Sequence, residues 1–253
     1  MTIPHRDMMS GLAKGLAVIE TFSAAQPRQS ISEVAAASGL DRATARRCLL
    51  TLAHHGYADW DGKFFTLTPR VLRLGTACLA AMPLPQVVQP LLDRLSEEIG
   101  QSSSVSILDG AEIVYVARAA QRRVMSIALM AGSRLPAFCT SMGRVLLAAL
   151  PEAEARARLD LAPLLPRTDR TLTDPQSLMA ELARVRLAGH ALIDQEVELG
   201  LCSIAVPVLN ARGQTVAALN VGLSAAAIPF ADLERLYLPA LVQMQGQLRA
   251  VLH

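Results

Sequence analysis

The stretch that most constrains this 253-residue chain is residues 30–54, where two short helical patterns meet at a glycine. Ser30 and Glu33 stand at capping-box spacing, so a helix starting there satisfies its own first amides. Gly39 suits the sharp turn that ends it, and Asp41 is a good N-cap for the next helix. On that second helix Ala45, Cys48, Leu49 and Leu52 fall on one face, and Arg42, Ala43, Arg46 and Arg47 mostly on the other. Small residues at a helix start admit it to a major groove, and arginines reach base edges and phosphates. We therefore take Arg42, Ala43, Thr44, Arg46 and Arg47 as candidate contacts to double-stranded DNA. The competing reading of this stretch alone is an amphipathic hairpin with a solvated basic face.

The residues on either side favour DNA. After Gly56 the apolar period shortens to that of strands: Tyr57 to Trp60, then Asp61-Gly62, then Lys63 to Leu67. Asp-Gly is expected to supply the positive φ values of a tight hairpin turn. A hairpin directly after such a helix is a wing, and Lys63 at its tip is a candidate phosphate or minor-groove contact. Upstream, Leu12, Leu16, Ile19 and Phe22 keep helical spacing and predict a helix closing over the pair. Residues 1–80 hold nine Lys/Arg against six Asp/Glu, whereas the rest is nearly neutral, as for a basic nucleic-acid module joined to a neutral one.

Thr68-Pro69 is a start signal for another helix, which we read as an interdomain linker and part of a dimer interface. The predicted division is 1–68, a winged helix-turn-helix domain; 69–85, the linker helix; and 86–253, a second domain. In the latter a helix up to Ile99 precedes a hairpin, Ser104 to Leu108 and Glu112 to Val116, turned at Asp109-Gly110. Val124 to Met130 reads as a strand and Arg134 to Phe138 as a loop. Helices are expected at Ser141 to Leu150, Ala153 to Leu159, and from Asp174-Pro175 to Gly189. Strands are expected at His190 to Gln195, Cys202 to Leu209 and Thr215 to Leu223, then a helix from Ala231 to Val251. Hairpins interleaved with helices imply an α+β domain with a mixed, largely antiparallel sheet.

Four scattered cysteines (Cys48, Cys78, Cys139, Cys202) with no CxxC pair argue against a zinc ribbon or disulfide scaffold. No apolar run approaches a membrane span and the first residues lack a signal-peptide core, so a cytoplasmic location is expected.

Gly15 to Glu20, Glu33-Val34-Ala35, Gly39-Leu40, Arg46-Arg47 and Leu49-x-x-Leu52 together resemble the winged helix-turn-helix of the IclR family of bacterial transcriptional regulators. Asp41 and Ala45 stand where that family often has proline and valine; both remain compatible with a helix start and a buried small residue. The resemblance extends through Thr140-Ser141-Met142-Gly143-Arg144 and through Asp194-Gln195-Glu196, Gly200 and Ile204 to Val208. It implies a GAF-like effector-binding domain. More narrowly, Leu67 to Gly75, Pro83-Leu84-Pro85 and Leu108 to Arg118 resemble the subgroup controlling aromatic-acid catabolism.

A carboxylate ligand needs sheltered donors. The helix start at Ser141-Met142-Gly143 offers backbone amides, a hydroxyl and the positive end of a helix dipole, with Arg134 just upstream as a bidentate partner. Leu201, Cys202, Ser203 and Asn220 are candidate walls, and Asp194 accepts from a ligand hydroxyl or holds its loop. A small aromatic or β-keto carboxylic acid is the expected effector. Expected partners are an operator, a second copy of the chain in a dimer or tetramer, and RNA polymerase; no cofactor or metal is expected. An alternative from a different class is an enzyme using Cys202, His190 and Asp194, or a metal site at Cys139, Cys202 and His190. Neither triplet has supporting motif spacing.

Overall fold

The computed structural model describes residues 5–23, 25–81, 83–121 and 129–252. Two units, 1–80 and 81–253, fold around separate cores.

In the first unit, helix α1 (Ser10–Glu20) precedes strand β1 (Arg28–Ser30), α2 (Ile31–Ser38), α3 (Arg42–His54) and a hairpin of β2 (Ala58–Trp60) and β3 (Phe64–Leu67). The capping box forms as its spacing requires: Ser30 Oγ accepts from Glu33 N, and Ser30 N donates to Glu33 Oε2 at 2.6 Å. Gly39 takes the left-handed conformation, φ 68°, and Asp41 Oδ1 accepts from Thr44 N at 2.9 Å to open α3. Val18, Val34, Ala45, Leu49, Ala58 and Phe65 form the core.

Three expectations change here. Gln26-Pro27-Arg28-Gln29 reads as a break after the first helix, yet Arg28–Ser30 adds a third antiparallel strand against β3. At the wing tip Gly62 alone has positive φ; Asp61 instead accepts from the amides of Lys63 and Phe64 through Oδ1. The apolar stripe of α1 is rotated: Val18 is fully buried, while Leu12 and Leu16 are 61% and 47% exposed.

A short 3₁₀ turn with Thr68 as N-cap and Pro69 in its first turn leads into α4 (Leu72–Ala81). Helix α5 (Pro83–Ile99) follows in the second unit, so Pro83-Leu84-Pro85, assigned by sequence to the end of the linker helix, begins the next helix instead. Among the described residues this unit's sheet has six strands in the order β6-β5-β4-β9-β8-β7. They are β4 (Ser102–Asp109), β5 (Glu112–Ala119), β6 (Arg134–Pro136), β7 (Ala191–Asp194), β8 (Leu201–Leu209) and β9 (Thr215–Ser224). Every pairing among the described residues is antiparallel, where a mixed sheet is expected from the sequence. Arg134–Pro136, expected as a loop, is the edge strand beside β5. The strand expected from Val124 falls largely on 122–128, outside the described residues, and Leu129 and Met130 are not in a strand.

Period-2 alternation splits the sheet between two helical layers. Val105, Ile204, Val206, Leu219 and Val221 face α5 and the last helix, α9 (Leu233–Val251). The opposite face packs on α6 (Ser141–Ala148), α7 (Glu152–Leu159) and α8 (Pro175–Ala188) through Ile113, Tyr115, Ala205 and Ala218. The signals at α8 form as read: Asp174 caps its first turn and Gly189, φ 73°, ends it.

Candidate DNA-reading face and ligand cavity

On α3 the side chains of Arg42, Ala43, Arg46 and Arg47 are exposed, and no ion pair holds these arginines among the described residues. Thr44 does not belong with them. It is 7% exposed, packed beside Ala45 on the inward side, so it holds the helix in place rather than reaching out of it. Lys63 is exposed at the wing tip, its ammonium 5.0 Å from the centre of the Phe64 ring. Arg28, for which the sequence offers no signal of a strand, stands on β1 with its guanidinium 4.3 Å over the same ring and paired to Asp61. The face can do one thing chemically: present cations and small residues to a polyanion.

The second site is of the opposite kind. A cavity lies between the start of α6 and the sheet, lined by Ser141, Met142, Leu201, Ser203 and Asn220 as the sequence suggests. From β4 Ser102 lines it, and Ser104 and Ser106, at every second position after it, are likewise buried on the side that elsewhere carries apolar groups. Ser203 Oγ donates to Ser141 Oγ at 2.8 Å.

The cationic residue in this cavity is Arg118, not Arg134. Strict alternation along β5 would send Tyr115 and Arg118 to opposite faces. A bulge breaks it: Ala117 pairs with Val105 but Tyr115 with Ser106, leaving Val116 as the extra residue and bringing both side chains to the α6 side. Arg118 Nη1 donates to Ser104 Oγ at 2.8 Å, and no carboxylate pairs with it among the described residues. Burial pulls its pKa below the ordinary value, with Tyr115 opposing; an arginine nevertheless stays charged. Burial pushes the Tyr115 phenol up to about 12, against the pull of Arg118, so it is a neutral donor. Tyr115 is 4% exposed, lines the cavity, and its hydroxyl has no hydrogen-bond partner among the described residues.

Arg134 is held elsewhere. It sits on the outer strand with Nε 2.7 Å from Glu112 and Nη2 2.7 Å from Asp109, a bidentate clamp across the β4–β5 turn. Gly143 also differs from expectation. Its amide is already occupied by the Thr140 hydroxyl, 3.1 Å away, leaving those of Ser141 and Met142 without an acceptor among the described residues. A Cβ at Gly143 would stand 2.1 Å from the Ala137 carbonyl oxygen, so glycine is needed there for close packing. Cys202 and Asp194 do not line the cavity. Asp194 pairs with Arg170 and accepts from Gln195 and from the Cys202 thiol, which places it as a holder of its loop.

The catalytic alternative loses its geometry. His190 turns to the Ala188 carbonyl and, at 3.5 Å, to Glu234, rather than to Cys202. Burial first, then Asp194, pushes the Cys202 thiol up to about 12, so it is no nucleophile at neutral pH. Among the described residues no three His, Cys, Asp or Glu side chains cluster as metal ligands.

A buried ion pair locks the far side of α6. Arg144 lies 2.7 Å from Glu196 and 3.7 Å from Glu181, and donates from Nε to the Phe138 carbonyl. Glu196 also accepts from Leu172 N. This holds the segment after β7, where Gln195 is the one described non-glycine residue with positive φ, 60°. Val197 and Leu201, at the cavity wall, hang from that segment.

Comparison with known proteins gives these two sites a context. Residues 11–62 match the model of the IclR helix-turn-helix domain, and residues 76–245 that of the C-terminal domain of the bacterial transcriptional regulator IclR. The chain is 45% identical over 237 residues to the Pca regulon regulatory protein of Pseudomonas putida, covering 93% of this chain and 81% of that one. A transcriptional regulator from Rhodococcus sp. RHA1 superposes with a TM-score of 0.79 at 46% identity, covering 97% and 98% of the two chains. The inducer-binding domain of a PobR double mutant from Acinetobacter, solved with 3-hydroxybenzoic acid, gives a TM-score of 0.63 at 35% identity over 66% of this chain and 98% of that one. With a helix-turn-helix and wing in one unit and a cavity beside α6 in the other, the chain belongs to the IclR family of bacterial transcriptional regulators.

Proposed function

We propose that this chain is a regulator of aromatic-compound catabolism whose grip on its operator is set by a small aromatic or β-keto carboxylic acid bound beside α6. The observation that carries this reading is Arg118: a half-buried guanidinium with one neutral hydrogen bond and no carboxylate partner among the described residues. A charge in that setting is costly until an anion pairs with it. A carboxylate on Arg118 would also meet the Tyr115 hydroxyl and the amides of Ser141 and Met142. Leu129, Leu135, Met142, Val197 and Leu201 would enclose its ring, and the amide of Asn220 or the hydroxyl of Ser203 would answer a ring hydroxyl. The free space is about 30 Å³, close to the share of one water, so the ligand must push its walls apart. That motion is what a switch requires.

Arg42, Ala43, Arg46, Arg47 and Lys63 contact DNA in this reading, while Asp194, Cys202 and Arg134 shape the surroundings of the ligand without touching it. The chain works as a homo-oligomer, dimer or tetramer, brought together through α4, in the cytoplasm and without catalysis. RNA polymerase is its further partner at the promoter.

Calorimetry tests the site. 4-Hydroxybenzoate is expected to bind the wild-type chain and its amide far more weakly, because charge-assisted bonds are about twice as strong as neutral ones. Arg118→Ala should cost about 2 kcal/mol, some thirtyfold in affinity, whereas Arg134→Ala should leave it unchanged. Equal binding of acid and amide, or loss through Arg134 rather than Arg118, would reject the assignment.

A further inference from the structure

A second cavity, of about 490 Å³, opens on the other side of α6 from the first. Its floor is apolar and buried: Phe138 is 6% exposed, Leu147 1% and Leu159 5%. One wall is the segment 160–174 between α7 and α8, which has no helix or strand of its own. Loops of that length inside a small domain are uncommon and usually functional. This one is fixed rather than loose. Thr168 Oγ1 donates to the Gln195 carbonyl at 2.8 Å, Thr171 Oγ1 to that of Glu196 at 2.7 Å, and Arg167 Nε to that of Val197 at 3.1 Å. A pre-formed concave site loses less ordering entropy when a ligand enters.

The charges at its rim select the ligand. Arg167 and Arg158 stand against Glu112. Glu112 is already neutralised by Arg134, 2.7 Å away, whereas Arg158 has a solvent-exposed i,i+4 partner at 3.3 Å, which holds it weakly. The terminal nitrogens of Arg167 have no partner among the described residues. Among the described lining residues a cation would find no free carboxylate, and a neutral hydrocarbon would make no use of the solvent-exposed Arg167 guanidinium. The volume matches that of ordinary small-molecule sites.

We propose that this cavity is a second ligand site, for a monocarboxylic acid with a bulky apolar body, its carboxylate on Arg167 and its body on Phe138, Leu147 and Leu159. The inference rests on residues separate from those of the cavity beside α6 and stands or falls apart from it.

The test uses the full chain carrying Trp60→Phe and Leu165→Trp. Trp60 is the sole native tryptophan, and Leu165 is a 68% exposed residue at the cavity mouth, so the new indole reports from there. The probe is 4-tert-butylbenzoate, with its amide as control. A saturable change in emission is expected with the acid, at least tenfold weaker with the amide, at least tenfold weakened by Arg167→Ala, and unmoved by Arg118→Ala. Calorimetry on a chain carrying Arg118→Ala and the native Leu165 guards against an indole that fills the site, and should show one equivalent bound. No binding by either method, equal binding of acid and amide, or a response lost with Arg118→Ala and kept with Arg167→Ala would each overturn the proposal. So would emission that depends on protein concentration without ligand, since a second copy would then cover the face.

Discussion

The arginines of α3 and the arginine of the α6 cavity live under opposite physical demands. Arg42, Arg46 and Arg47 are exposed and without an ion pair among the described residues, and their surroundings ask nothing of them. Arg118 is half buried, seated by a bulge and a serine hydroxyl, and its surroundings are unfinished without an anion. A surface that reads a polyanion can be built from a single helix, because water carries the desolvation cost until binding. A cavity that selects one small acid has to be assembled from several elements whose polar groups are all accounted for except those meant for the ligand. Changes to the packing that frames the cavity should therefore reach folding, and changes on α3 should not.

The largest separation is expected at Gly143. A side chain there meets the Ala137 backbone at 2.1 Å and cannot be relieved by a rotamer change. Gly143→Val should destabilise the second unit by about 4 kcal/mol, beyond the ~1–3 kcal/mol usual for overpacking, because backbone has to move. Thermal unfolding of the full chain measures it, and an unchanged transition would mean that α6 docks differently. Glu196→Ala comes next. It strips Arg144, whose side chain is 4% exposed, of its closest partner, and losing one half of a buried pair costs about 3 kcal/mol. Its urea midpoint should fall; a midpoint within error of wild type would show that Glu181 at 3.7 Å suffices.

On the open face the same kind of measurement should show nothing. Arg46→Ala is expected to leave the melting temperature within about 1 °C, since an exposed side chain carries little folding energy. Operator affinity should drop by about 1–2 kcal/mol, with specificity relaxed at one base pair if it reads an edge, or with a shallower salt dependence if it meets phosphate. Wild-type binding of both operator and random DNA by Arg42, Arg46 and Arg47 variants would remove α3 from the interface.

The two regions also differ in how far the sequence reveals them, for the same reason. The capping box, the left-handed Gly39, the Asp41 cap and the basic face all lie within one stretch of 25 residues, where spacing alone dictates geometry. Thr44 is misplaced by that spacing because it borders the buried stripe, one position from Ala45. In the cavity, Ser141, Met142, Leu201, Ser203 and Asn220 are legible from the helix start and from strands that keep their alternation. Arg118 and Tyr115 are not, because one extra residue in β5 reverses the parity on which such readings depend. Nearness in sequence to Ser141 points to Arg134, but an edge strand turns it toward Glu112 and Asp109. A signal is present all the same: three serines at period 2 in β4 mark a strand face that is buried and not apolar.

The central claim is that an acid held by Arg118 governs what α3 does on DNA, and operator titration with and without 4-hydroxybenzoate tests it most directly. Coupling between such sites is typically ~1–3 kcal/mol. In the wild-type chain the acid should change operator affinity about five- to 150-fold, or alter the footprint, while the amide does neither. With Arg118→Ala the chain should bind the operator as the unliganded wild type does and no longer answer the acid. An undiminished response in that variant at the same acid concentration would contradict the account.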